Sequence, residues 1–140
     1  MIYVVIQFSC IIYLIFNIQP NQLDWLEYFL LSMAIIIGSI AVINMKFNNL
    51  NIIPTLKDNH QLRTHGIYKY IRHPMYTSVL LSCLALVLSN PHWIAQLVMT
   101  VLLINLILKS NFEEKLLLKR FKSYSKYRQK TGRFLPFKGC

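Results

Sequence analysis

Acidic residues are scarce in this chain, with five Asp and Glu against fifteen Lys and Arg in 140 residues. Charge of either sign is thin too, at 14% of residues where a soluble domain carries about 25%. No base occurs before Lys46, and none falls between Arg72 and Lys109. A uniformly basic surface is thereby excluded, and no motif supports nucleic-acid binding. The three cysteines give no disulfide or metal spacing. Cys140 is the last residue, whereas a prenylation box needs its cysteine four from the end. The opening Met1-Ile2-Tyr3-Val4-Val5 lacks the basic segment of a cleavable signal, so we read it as the start of a span. The sequence has no internal repeats and no low-complexity tracts.

What the chain does have is apolar surface. Hydrophobic residues make up 55% of it and the mean hydropathy is +0.43. They gather into four runs, at about 2–18, 25–45, 74–89 and 92–108, close to the length a bilayer requires. A chain this small could hardly bury all four in one globular core. The expected fold is therefore all-α: one membrane domain over 1–140, a bundle of about four transmembrane helices. Pro20-Asn21-Gln22 separates the first two runs and Asn90-Pro91 the last two, which should form a tight helical hairpin.

All fifteen bases lie in two segments, Lys46 to Arg72 and Lys109 to Lys138. The turn between the first two runs holds Asp24 and Glu27 with no base. This is the positive-inside asymmetry. It predicts a multi-pass protein with a cytoplasmic loop over 46–73, a cytoplasmic C-terminal segment over 109–140, and both termini cytoplasmic. The bases would face anionic membrane lipids. Within the C-terminal segment, Leu116, Leu117, Phe121, Tyr124 and Tyr127 recur at helical spacing, with Lys115, Lys119, Lys122 and Lys126 opposite. That pattern predicts an amphipathic helix on the headgroups from Lys109 to Arg128, broken at Gly132.

Three clusters could carry chemistry. Gly66-Ile-Tyr-Lys-Tyr-Ile-Arg-His-Pro-Met-Tyr76 sets Tyr68, Arg72, His73 and Tyr76 around Pro74. Proline favours the first turn of a helix, so His73 should stand at a helix mouth, where the dipole favours negative charge. Glu113-Glu114 are the last acids of the chain. They could simply pair with Lys109, Lys115 or Lys119 one turn away. Alternatively, the hairpin would bring Glu114 level with His73. The third cluster is Phe121-x-x-Tyr124-x-x-Tyr127 with Arg133-Phe134-Leu135-Pro136, able to close over a flat cationic ligand by stacking and cation–π contact.

Together, Gly66-x-Tyr68-x-x-x-Arg72-His73-Pro74-x-Tyr76, Glu113-Glu114, Phe121-x-x-Tyr124-x-x-Tyr127 and Arg133-Phe134-Leu135-Pro136 resemble the isoprenylcysteine carboxyl methyltransferase family. The related membrane phospholipid methyltransferases share much of the pattern, which covers about Leu62 to Pro136. The resemblance implies a multispanning enzyme that binds S-adenosylmethionine near the cytoplasmic face. It makes Tyr68, Arg72, His73, Tyr76, Glu113, Glu114, Tyr124 and Tyr127 the cofactor-binding candidates. Arg133 and His73 are the catalytic candidates: Arg133 to hold a carboxylate or phosphate acceptor, His73 to assist an amine in losing its proton. The cofactor's carboxylate is expected near His73 and its ammonium near Glu113 or Glu114. No metal is expected. Two departures stand out: Ser78 where many members have glycine, and a short N-terminal half.

The alternatives are an NADPH-dependent membrane reductase of related fold and a non-enzymatic four-span exporter or assembly protein. The first needs more chain than is present. The second wants a mid-membrane carboxylate, and no acid lies within a run. Isoprenylated cysteine carboxylates, phospholipid amines, isoprenoid acids and small hydrophobic metabolites all remain open as the lipid-like acceptor. Acceptor choice is expected to rest on the first two runs and the loop 47–60. The sequence says nothing about oligomeric state.

Overall fold

The computed structural model describes residues 1–45 and 62–137. Most of the cytoplasmic loop, including the 47–60 stretch tied above to acceptor choice, lies outside the described residues. So does 138–140.

The described chain is helical throughout, without a β-strand. Its helices are α1 (Ile2–Phe16), α2 (Trp25–Met45), α3 (Pro74–Ser89), α4 (Trp93–Arg120) and α5 (Tyr124–Lys130), with short 3₁₀ turns at Pro20–Gln22 and Gly66–Lys69. Two of them, α2 and α4, are long and apolar enough to cross a membrane. The 21 residues of α2 rise about 32 Å at 1.5 Å each, matching a hydrocarbon core of about 30 Å. Helices α1 and α3 are apolar but shorter, at 15 and 16 residues.

Local chemistry fixes the helix ends. At the start of α2, the Asp24 N–H donates to Glu27 Oε2 at 3.0 Å, one half of a capping box. That explains two of the five acids: they serve a helix terminus. Pro74 opens α3, where its missing N–H costs nothing. Gly66 takes φ +60° at the head of its 3₁₀ turn, a conformation that favours glycine.

The predicted hairpin exists, but it is not the main packing unit. Helix α3 packs chiefly on α2, and α4 on α1. The α2–α3 approach depends on small residues. Ala34, Ala41 and Ala85 are fully buried, and a Cβ at Gly38 would come within 2.7 Å of Ser78 Oγ. That same hydroxyl donates to the Ala34 carbonyl at 2.7 Å. Ser78 therefore takes the room that glycine leaves on the facing helix. Between the helices lies a core of Cys10, Leu14, Cys83, Val87, Ala95, Leu102 and Leu106. Outside it, large apolar side chains face outward, among them Phe16, Phe29, Ile36, Ile43, Leu97 and Ile104. Polar Gln7, Asn105, Lys109 and Glu114 are buried. Apolar outside and polar inside is the reverse of a water-soluble surface.

The C-terminal segment departs from the single amphipathic helix expected over Lys109 to Arg128. Helix α4 runs on without a break to Arg120, past the expected boundary at 108. The break falls at Phe121, which is extended (φ −119°, ψ 108°). The bend turns Tyr124, only 1% exposed, inward at the start of α5. Burying that ring outweighs continuing the helix. Lys115, Lys119, Lys122 and Lys126 are exposed, as the spacing required.

Candidate active site

The end of α3 that begins at Pro74 is closed by the C-terminal segment through its backbone. Ile71 and Gly132 form a parallel bridge. The Arg72 N–H donates to the Gly132 carbonyl at 2.8 Å and the His73 N–H to that of Arg133 at 3.0 Å, while the Gly132 N–H donates to Tyr70 at 3.1 Å. Side chains add to this. Thr77 Oγ1 donates to the Phe134 carbonyl at 2.7 Å and the Tyr127 hydroxyl to that of Tyr68 at 2.5 Å. Gly132 is required by close approach: a Cβ there would fall 1.7 Å from the Leu135 carbonyl oxygen.

Beneath this closure sits Glu114, its side chain 3% exposed. Arg72 Nε approaches it at 2.9 Å, His73 Nε2 at 3.3 Å, Arg128 Nε at 3.3 Å and Arg133 Nε at 3.7 Å. Burial alone would raise its pKa. Hydrogen bonds from His73 and Arg72, with the Arg72 charge, reverse this and pull it down to about 2. Glu114 is thus a saturated anion. Arg72 also donates through Nη1 to the carbonyls of Arg128, at 3.0 Å, and Thr131. One guanidinium thereby ties α4, α5 and the closing segment together.

The neighbouring carboxylate is in a different position. Glu113, 20% exposed at its side chain, accepts from the Tyr76 hydroxyl at 2.6 Å and lies 3.7 Å from His73 Nδ1. The rings of His73 and Tyr76 stack with centroids 5.3 Å apart and planes 2° from parallel. Phe134 tilts against both, at 6.2 and 6.4 Å. Carboxylate, imidazole, phenol and phenyl thus meet at one place, beside a guanidinium. Neither glutamate lies within ion-pair distance of Lys109, Lys115 or Lys119 among the described residues. Their partners come from other elements.

Arg72, His73, Tyr76, Glu113, Glu114 and Arg133 therefore converge. The three remaining candidates do not reach the carboxylates by hydrogen bond. The Tyr68 hydroxyl points back to the Ala41 carbonyl at 3.5 Å; burial, then Tyr127, raises its pKa. Tyr127 is held to the Tyr68 backbone, and burial above all pushes its phenol up to about 12. Tyr124 packs against Tyr127 with centroids 5.6 Å apart. Its buried hydroxyl has no hydrogen-bond partner among the described residues, and burial followed by the Glu114 charge raises its pKa. The sequence reading passed over Arg128 and Lys109, both of which belong to this neighbourhood. A signal for Lys109 existed: it ends a long uncharged run.

The comparisons agree with this arrangement. Residues 25–124 match the phospholipid methyltransferase family. The chain belongs to that family. The matched region spans α2 to the first residue of α5 and contains every candidate except Tyr127 and Arg133. The chain is also 33% identical, over 85 residues, to proteins named "Probable protein-S-isoprenylcysteine O-methyltransferase" from Oryza sativa subsp. indica and subsp. japonica. That alignment covers 58% of this chain and 44% of each relative. The chain thus spans about half the length of the curated relatives it matches. The two family names agree on methyl transfer and differ on the acceptor: phospholipid in one, isoprenylcysteine in the other.

Proposed function

We propose that this protein is an S-adenosylmethionine-dependent methyltransferase acting on a lipid-like acceptor at the cytoplasmic membrane face. In this reading α1 and α3 join α2 and α4 as spans, and both basic segments lie on the cytoplasmic side. Outward-facing apolar side chains and the two-segment distribution of bases support it. The observation that carries the function is the division between two adjacent glutamates. Glu114 is saturated by Arg72, Arg128 and Arg133, whereas Glu113 keeps a partly open carboxylate beside aromatic rings.

This donor set fits the cofactor. Its ammonium suits Glu113, its sulfonium and adenine suit the faces of Tyr76 and Phe134, and its carboxylate suits the α3 mouth beside His73. When bound, the cofactor supplies an electrophilic methyl group on a cationic sulfur. The protein's part is positional. Glu114 draws Arg72 and Arg133 inward and so holds the closing segment down, which excludes water. Arg133, its contact to Glu114 the longest of the four, remains available to an anionic acceptor oxygen. A carboxylate acceptor needs no base. An amine must lose a proton, and His73 is the group able to take it.

The test is calorimetric titration of detergent-purified protein with S-adenosylmethionine and, separately, NADPH. Saturable binding of S-adenosylmethionine alone is expected. Glu113→Gln should weaken it by about tenfold or more, the worth of one charge-assisted hydrogen bond, at an unchanged melting temperature. Binding of NADPH alone would assign the chain to reductase chemistry, and binding of neither would leave transport or assembly.

A further inference from the structure

The contact between α1 and α4 holds a cation that the Glu114 cluster does not use. Lys109 lies one helical turn before Glu113 and is 2% exposed. Its Nζ donates to Gln7 Oε1 at 3.0 Å and stands 5.0 Å from the centre of the Tyr76 ring. Among the described residues no carboxylate lies within ion-pair distance of it. A buried ammonium without a counter-ion is costly, and one amide oxygen with one aromatic face compensates it only in part. Arg72, Arg128 and Arg133 all have Glu114; Lys109 has no such anion.

Its surroundings are built for a polar guest. Gln7 is itself buried, and its carboxamide nitrogen makes no hydrogen bond among the described residues, which leaves it a donor beside the ammonium. Asn105, the next buried polar side chain along the seam, is committed to the Tyr3 carbonyl at 2.9 Å. Tyr76 links this seam to the pocket above, since its hydroxyl reaches Glu113 while its ring faces Lys109.

We infer that Lys109 and Gln7 form an anion subsite that takes the charged oxygen of the methyl acceptor, a carboxylate or a phosphate, across the Tyr76 ring from Glu113. The inference rests on the methyltransferase reading. It deepens that reading by stating the acceptor's charge and its place: the acceptor enters between α1 and α4 and supplies the counter-ion that Lys109 lacks. An acceptor amine would bind through its own phosphate, because the ammonium of Lys109 repels a bare cation.

The experiment uses the full chain in detergent with three probes: N-acetyl-S-farnesylcysteine, its uncharged carboxamide, and phosphatidylethanolamine. Dissociation constants for each, the S-adenosylmethionine affinity and the melting temperature are measured for wild type, Lys109→Met, Lys109→Arg and Gln7→Glu. Lys109→Met should weaken at least one anionic probe about tenfold or more, with carboxamide and cofactor affinities moving less than about twofold. Lys109→Arg should restore most of the loss. Gln7→Glu brings its own carboxylate to Lys109, so it should raise the melting temperature while weakening the anionic probe. Which anionic probe responds separates a carboxylate source from a phosphate one. Wild-type affinity of Lys109→Met for both anionic probes would overturn the subsite. So would equal losses for carboxylate and carboxamide, or a loss that falls on the cofactor instead. If wild type binds no S-adenosylmethionine, the methyltransferase reading fails, and the carboxylate–carboxamide contrast still decides whether Lys109 holds an anion.

Discussion

The two ends of the bundle solve the same problem with different chemistry. At the turn between α3 and α4, Tyr13 Oη meets His92 Nε2 at 3.3 Å and His92 Nδ1 meets the Asn90 carbonyl at 3.0 Å. Asn90 donates to the Asn17 carbonyl, and Asn17 to that of Tyr13, each at 2.9 Å. No acid, lysine or arginine takes part, yet α1 is tied to the turn. At the other end one carboxylate gathers Arg72, Arg128, Arg133 and His73. Neutral hydrogen bonds suffice to fasten helix ends here, so the ionic end has more charge than fastening demands. Charge buried at that cost belongs with ligand chemistry.

Removing the carboxylate should break this contrast most severely. Glu114→Ala leaves the guanidinium of Arg72 buried without an anion and is expected to cost about 3–5 kcal/mol, read as a large fall in melting temperature with loss of S-adenosylmethionine binding. A melt like wild type's would mean that the closure does not depend on Glu114. Acid should do the same more gently. Because the folded pKa is lowered from 4.5 to about 2, the contribution is complete above the unfolded value and is lost as pH falls between them. About 3 kcal/mol is at stake. Melting curves from pH 5 downward, run beside Glu114→Gln, should converge near pH 2, and parallel curves would refute the assignment. At the neutral end the effect should be smallest. His92→Ala is expected to cost about 1 kcal/mol while cofactor affinity stays at the wild-type value, and a drop in affinity would show that the two ends are coupled.

The sequence disclosed the site better than it disclosed the packing around it. His73 and Glu114 at one level followed from a two-run hairpin with polar groups at the same end. Helix pairing was illegible, because it depends on Gly38 facing Ser78 and on alanines that look like any others in an apolar run. The bend at Phe121 was hidden by a periodicity that continued smoothly through it, and only burial of Tyr124 decides where the helix stops. Which glutamate is clamped also could not be read from the chain. Adjacent residues on a helix point about 100° apart, and it took the returning segment to show that Arg128 and Arg133 reach Glu114. Lys109 was taken for a surface partner of the acids, whereas Gln7, distant in sequence, is what receives it.

The backbone bridge between Ile71 and Gly132 also sets the order of assembly. A nascent chain that has reached Lys130 has already delivered every described helix and both glutamates to the membrane. The partners of the Arg72 and His73 N–H groups, the carbonyls of Gly132 and Arg133, have yet to be made. Biogenesis therefore finishes at the site: the spans come first, and the pocket closes only with the last few residues that follow α5.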